Sequence, residues 1–198
     1  MDEPRLPPHY DDLGAVEDTA WTMMVDAVPN RRAAFHQVTV ANLGADGEAE
    51  ARTVVLRGAD RAARTVRFHT DRRSGKFAAL SAHPRASVHL YDHDAKVQIR
   101  LRGTAALHTG DALAEGLWST MRDMSKVCYR QPVGPGAPIA APDGAMDGGL
   151  LADADGFANF VAVVVHIHQL EWLYLAAKGH RRALLDYGGD TPPRWLAP

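Results

Sequence analysis

Arginines raise the first chemical question. Between residues 52 and 76, the stretch "RTVVLRGADRAARTVRFHTDRRSGK" carries seven arginines and one lysine, in a 198-residue chain whose net charge is only −2. Within "RTVVLR" a period of two sets Arg52, Val54 and Leu56 on one face of a strand and Thr53, Val55 and Arg57 on the other. A strand flanked by turns buries one face, and a buried charge needs a partner. Further along, "TDRRSGK" offers the Thr70 and Ser74 hydroxyls, Gly75, Lys76 and the start of a helix. Hydroxyls, free N–H groups at a helix start and fixed cations are what a phosphate dianion requires. The plainer alternative is a solvated charged turn that contributes solubility and little else.

Three other patterns could do chemistry. Gln98 lies between apolar neighbours in "KVQIRLRG". A buried amide there suits the polar edge of a planar heterocycle, or equally a neighbouring backbone group. "EWLYLAAKGHRRALLDY" places Trp172 ahead of a Lys, His, Arg, Arg cluster, an aromatic wall with charge at its rim. "HIH" at 166 and 168, with His89 and His93, supplies imidazole pairs, but zinc needs three or four convergent ligands, and packed or surface histidines are the simpler expectation, with no metal. The single cysteine, Cys128, forms no intrachain disulfide. Beside Lys126 and Arg130 its pKa could be lowered, the alternative being an ordinary half-buried thiol. The chain has no G-x-S-x-G nucleophile turn, no G-x-G-x-x-G and no P-loop lysine where such folds would need them.

These residues must be positioned by a mostly β scaffold. The 46% apolar and 23% charged composition suits one globular domain, and near-neutral charge argues against nucleic-acid or membrane-surface binding. The acidic, Pro-rich start is unlike a signal peptide and no apolar run approaches eighteen residues, so the expected location is the cytoplasm. Residues 1–12 read as a tail and 13–198 as a single domain. The spacing of Leu13, Val16, Ala20, Met23, Met24 and Ala27 predicts a helix capped by Asp11 or Asp12. "AFHQVTVANL" and "AEARTVVLRG", joined by "GADGE", predict a hairpin. "RTVRFHT" reads as a third strand, "SGKFAALSAH" as a helix, "RASVHLYD" and "KVQIRLRGTAAL" as two further strands, and "TGDALAEGLWSTMRDMSK" as one amphipathic helix. Residues 131–156 hold six Gly, four Pro and four Asp with no Lys or Arg, an insert that is either a loop of functional use or a disordered segment. "ANFVAVVVHIHQLEWLYLA", "HRRALLDY" and "PRWLAP" complete the strands. Hairpin-linked strands that do not alternate with helices predict an α+β, mainly β fold closed as a barrel.

Taken in order, R-[TV]-V-L-[KR], [YFH]-T-x-x-x-S-x-K, a Gln five residues before a strand Gly, W-x5-[RK]-x-H-x-R and a final W-x-A-P resemble the pyridoxamine 5′-phosphate oxidase-like, FMN-binding split-barrel family over roughly residues 20 to 198. The resemblance implies a split β-barrel of antiparallel strands with flanking helices. It implies a homodimer with FMN at the subunit interface. Arg52 and Lys76 would hold the FMN phosphate with Thr70 and Ser74. Thr53, Val54, Val55 and Leu56 would run their backbone beside the isoalloxazine, and His69 would sit near the ribityl chain. Gln98 would face the flavin's polar edge from the other subunit, and Trp172 and Arg182 would add late flavin contacts. Arg57 stands at a substrate-phosphate position and His180 at that of a histidine approaching the substrate. Trp118, Arg122 and Lys178 fall at further substrate positions. The activity implied is hydride transfer between a small anionic organic substrate and flavin N5.

The departures bear on substrate. Gly75 replaces an Arg before the phosphate-binding Lys, with Arg72 or Arg73 available to stand in. Trp118 replaces a Tyr, Lys126 a Ser, and Lys178 an Arg, giving up a bidentate fork. The 131–156 insert lies where a further substrate segment belongs. These changes argue against pyridoxine phosphate itself as substrate. A non-catalytic flavin- or haem-binding barrel is the alternative reading.

Overall fold

The computed structural model describes residues 7–142, 148–176 and 179–198. A helix, α1 (Leu13–Ala27), leads into strands β1 (Gln37–Leu43), β2 (Ala49–Val55), β3 (Gly58–Asp60) and β4 (Thr65–Asp71). Helix α2 (Gly75–Ala82) precedes β5 (Arg85–Asp92) and β6 (Val97–His108). Helices α3 (Ala112–Ser119), α4 (Asp123–Lys126) and α5 (Asp153–Asn159) precede β7 (Phe160–Tyr174), β8 (Arg181–Asp186) and β9 (Arg194–Leu196).

Local sequence explains most boundaries. Asp12 caps α1, its carboxylate accepting from the Ala15 amide at 2.8 Å, and Val16, Ala20, Trp21 and Met24 bury the face the spacing marks. In β1 and β2 the alternation survives as alternating burial, and Gly47, at φ 85°, makes the turn that L side chains resist. The amphipathic stretch expected as one helix over "TGDALAEGLWSTMRDMSK" is broken into α3 and α4. The Ser119 and Thr120 hydroxyls return to the Gly116 carbonyl at 2.9 and 3.0 Å, offering the backbone an alternative to continued helix. Residues expected as tail contribute to packing: Tyr10 is buried with its ring 5.0 Å from that of Trp172.

All neighbouring strands are antiparallel, in the order β2-β1-β5-β6-β7-β4-β3, with β8 beside β7 and β9 beyond β8. Strand β7 is the spine. Its first half pairs with β4 and its second with β8, while β6 runs along its other side. The β6–β7 register slips between Arg102 and Gly103, where any Cβ on Gly103 would overlap the His166 carbonyl oxygen. The curled sheet encloses a core of Val38, Val40, Leu90, Ile99, Val163 and Leu170, closed by α1. Each such fully buried aliphatic side chain contributes roughly 1.5–3 kcal/mol. A second core, around Trp118, Tyr129 and Phe160, lies on the opposite face of β7 beneath α3. Curling brings β2 against β4 without strand pairing between them, and that opening is the split.

Candidate functional site

At the split, residues from three elements converge. Arg52 shares the core-facing side of β2 with Val54, and its guanidinium donates to Asn42 Oδ1 and pairs with Glu50. Opposite it, Lys76 in the first turn of α2 donates from Nζ to Thr70 Oγ1 at 3.1 Å. Thr70 in turn shares a 3.1 Å hydrogen bond with Ser74, whose hydroxyl donates to the Asp71 carbonyl at 2.7 Å. Ser74 thus spends its hydroxyl on β4, leaving the first amides of α2 without a side-chain cap. Among the described residues no carboxylate pairs with Lys76. Burial, and then the Arg52 charge, push the Lys76 pKa down. Two cations held close together, backed by hydroxyls, have the donor set of a phosphate cradle. Gly75 is exposed and has open space around a notional Cβ, so packing does not demand glycine there. Arg73 is committed to Asp71 at 2.8 Å and to the Gln131 carbonyl at 2.9 Å, whereas Arg72 is exposed.

The neighbouring residues of β4 face elsewhere. His69 points away from Thr70, into a cleft of about 560 Å³ between the α1–β1 connection, β4 and the α3–α4 segment. Arg57 and Arg122 meet in this cleft, together with Arg31, His36, Ser125 and Tyr129. No Asp or Glu is among its described lining residues. Burial, reinforced by the Arg67 and Arg57 charges, lowers the His69 pKa to about 3, so its imidazole is neutral at ordinary pH. Its ring meets Phe160 edge-on at 4.9 Å and its buried Nε2 has no hydrogen-bond partner among the described residues. Burial also raises the pKa values of Tyr129 and Cys128, so Cys128 is an ordinary thiol, not an activated one. Trp118 turns into the second core, its indole donating to Asp153 Oδ2 at 2.9 Å beneath Lys126, and does not line the cleft.

A third group lies on the outer face of the sheet. Gln98, Leu173 and Arg182 are in direct register across β6, β7 and β8, which sets Gln98 and Arg182 about 10 Å apart on one face. Gln98 Oε1 lies 3.1 Å from His89 Nε2. Arg182 Nε donates to Glu171 Oε1 at 3.1 Å, and Arg100 Nε to the same oxygen at 3.0 Å. Burial alone would raise the Glu171 pKa, but hydrogen bonds from the two guanidiniums outweigh it and hold the carboxylate below its usual range. Trp172 falls on the opposite face from Arg182, fully buried with its Nε1 unpartnered among the described residues, so these two do not meet within one chain. His180 is exposed between β7 and β8, its Nδ1 accepting from the Ala176 amide at 3.1 Å. Lys178 lies outside the described residues. Among the described residues no three His, Cys, Asp or Glu side chains gather as metal ligands.

Part of the chain matches a known family. Residues 18–109 match the family described as pyridoxamine 5′-phosphate oxidase, FMN-binding domain. A pyridoxamine 5′-phosphate oxidase-related, FMN-binding protein of Nostoc punctiforme superposes with a TM-score of 0.75 at 22% identity, covering 98% of this chain and 100% of that one. The chain is a split barrel, and its residues 18–109 resemble that family. PhzG of Burkholderia lata, solved with tetrahydrophenazine-1-carboxylic acid, shares the same fold over the full length of both chains (TM-score 0.72, 20% identity). A pyridoxine/pyridoxamine 5′-phosphate oxidase of Azorhizobium caulinodans is 33% identical over 90 residues, which span 46% of this split barrel and 41% of that oxidase.

Several residues of the split barrel's sites went unnoticed in the sequence. Asn42 and Glu50 anchor Arg52, Glu171 and Arg100 anchor Arg182, and Arg31 and Tyr129 line the cleft. Only the period of two carried a signal, since it places Glu50 beside Arg52 on one face of β2.

Proposed function

We propose that this split barrel is an FMN-dependent oxidoreductase passing hydride between a small anionic organic substrate and flavin N5. The observation that carries the reading is the approach of Lys76, half-buried and without a carboxylate partner among the described residues, to Arg52 across the split. Bound FMN would supply a two-electron acceptor, chemistry that no side chain of this set provides alone. Arg52, Lys76, Thr70 and Ser74 would hold its phosphate, and the backbone of Thr53 to Leu56 would border its ring system. Arg57 and Arg122 would orient the substrate's acid group in the cleft. Both an organic phosphate and an aromatic carboxylate, the latter being the kind of molecule bound in the PhzG complex, suit those guanidiniums.

A second copy would complete the site. Within one chain Gln98 and Arg182 lie on the outer sheet face, whereas Arg52 and Thr70 lie on the core-facing side. A homodimer that lays this outer face over the split of its partner would bring both sets, with His180, to one ligand. Trp172 would act from the core, supporting the β7–β8 hairpin from beneath instead of touching the ring.

An anaerobic titration tests the activity. The FMN-loaded protein is mixed in turn with pyridoxine 5′-phosphate, pyridoxamine 5′-phosphate, a panel of aromatic carboxylates and reduced nicotinamide, while the flavin band near ~450 nm is followed. Bleaching by one titrant, at a rate reduced at least about tenfold in Arg57→Ala, is the expected result. A loaded protein that no titrant reduces contradicts the enzymatic reading.

A further inference from the structure

His69 has more to say than its sequence position suggests. The family resemblance assigns it to the cofactor, beside Thr70. Consecutive residues of a strand point to opposite faces, and here Thr70 pairs its hydroxyl with Ser74 while His69 lines the arginine-bordered cleft. Its Nε2 is buried and unpartnered among the described residues, in a cleft whose described lining mixes guanidiniums and apolar side chains with His36, Cys128 and the Thr120, Ser125 and Tyr129 hydroxyls but includes no carboxylate. A buried polar atom left unsatisfied is costly, and it persists where a ligand supplies the missing partner. Arg57 and Arg67, the charges nearest the ring, have donors only, so neither can accept a proton from it.

We infer that His69 is a specificity-determining residue for the substrate, donating a neutral Nε2–H hydrogen bond to an oxyanion, phosphate or carboxylate, that Arg57 and Arg122 hold by charge. The inference rests on the reading of this cleft as the substrate site and deepens it. The guanidiniums supply attraction without fixing orientation. A neutral imidazole wedged against Phe160 supplies one donor at a fixed position. The apolar part of the ligand then packs on Val28, Pro29, Leu117 and Met121, which also line the cleft.

The test compares two probes of equal ring size, phenyl phosphate and benzoate, bound to the full-length protein and followed by calorimetry, with FMN affinity measured in parallel by fluorescence. His69→Phe keeps the ring volume and removes the donor. His69→Gln keeps a donor near the Nε2 position, and His69→Asn keeps one near Nδ1 instead. The expected result is that the Phe and Asn variants bind the preferred probe roughly tenfold or more weakly, that Gln restores most of the loss, and that FMN affinity is unchanged in all three. Whichever probe binds more tightly identifies the acid group as phosphate or carboxylate. If the Phe variant loses FMN and keeps the probes, His69 is a cofactor residue and the inference is overturned. Equal behaviour of Gln, Asn and Phe overturns it too, because packing alone would then explain the site. Arg57→Ala separates the two levels. Should it weaken probe binding while His69→Phe does not, the cleft reading stands and the His69 inference falls. Should neither variant matter, both fall.

Discussion

At the scale of single residues, function here depends on which charges are left without partners. Arg73, Arg100 and Arg182 are spent on Asp71 and Glu171, and Arg52 is steadied by Asn42 and Glu50. Lys76 and the cleft arginines Arg57 and Arg122 have no such carboxylate among the described residues. The buried imidazole of His69 carries a stability signature of its own. Its folded pKa of about 3 lies below the ordinary 6.5, so between those values the unfolded chain binds a proton that the folded chain refuses. Stability is therefore withdrawn as pH falls from 6.5 toward 3, and nothing is lost to this group above 6.5. The charged groups nearest it are Arg57 and Arg67, and Tyr129, its pKa raised by burial, stays neutral across this range. His69→Phe should consequently lose less stability than the wild type between pH 6.5 and about pH 4, as read from urea midpoints. Parallel curves for the two proteins would show that His69 is not the buried neutral group described.

At the scale of elements, the β6–β7 register slips at Gly103, where the two strands approach closely. A Cβ there meets backbone, not a flexible side-chain end, so the strands themselves would have to part. Gly103→Ala should cost on the order of 1–3 kcal/mol in equilibrium unfolding, whereas Gly75→Ala, with open space around it, should cost under about 1 kcal/mol. Equal losses would mean that the slip is not a tight contact. The element pattern was largely legible: alternation marked β1 and β2, strand-like runs marked β4, β5, β6 and the long β7, and a cap at Asp11 or Asp12, the latter in the structure, announced α1. The three-residue β3 was not, because no period can be read over so few positions. Nor was the break between α3 and α4, since the apolar spacing continues through it while two hydroxyls end the helix locally. His69 and Thr70 stand side by side in the motif, yet the strand's alternation turns them to opposite faces of β4. Membership in a motif says which residues are near a site, and the pleat decides which of them face it.

At the scale of the whole molecule, two half-sites lie on different faces of one curled sheet, and pairing of two subunits follows if they serve one ligand. This is open to a mixing test. Arg52→Ala damages the split and Arg182→Ala the outer face. If each site draws one set from each subunit, a heterodimer of the two variants contains one site with both lesions and one with neither, so FMN binding should return to about a quarter of all sites after mixing and reassembly. Failure to recover any would show that each chain binds, or fails to bind, alone. The sequence could not display this division, because order along the chain says nothing of which side of the sheet each motif occupies. If Arg52 and Lys76 form a phosphate cradle for FMN, equilibrium titration of FMN, and of riboflavin as its phosphate-free control, into the wild type and Lys76→Met will reveal it. The wild type should prefer FMN strongly, and Lys76→Met should weaken FMN by roughly 10- to 100-fold while riboflavin affinity barely moves. Equal affinity for FMN and riboflavin in the wild type, or an unchanged FMN affinity in Lys76→Met, would contradict it.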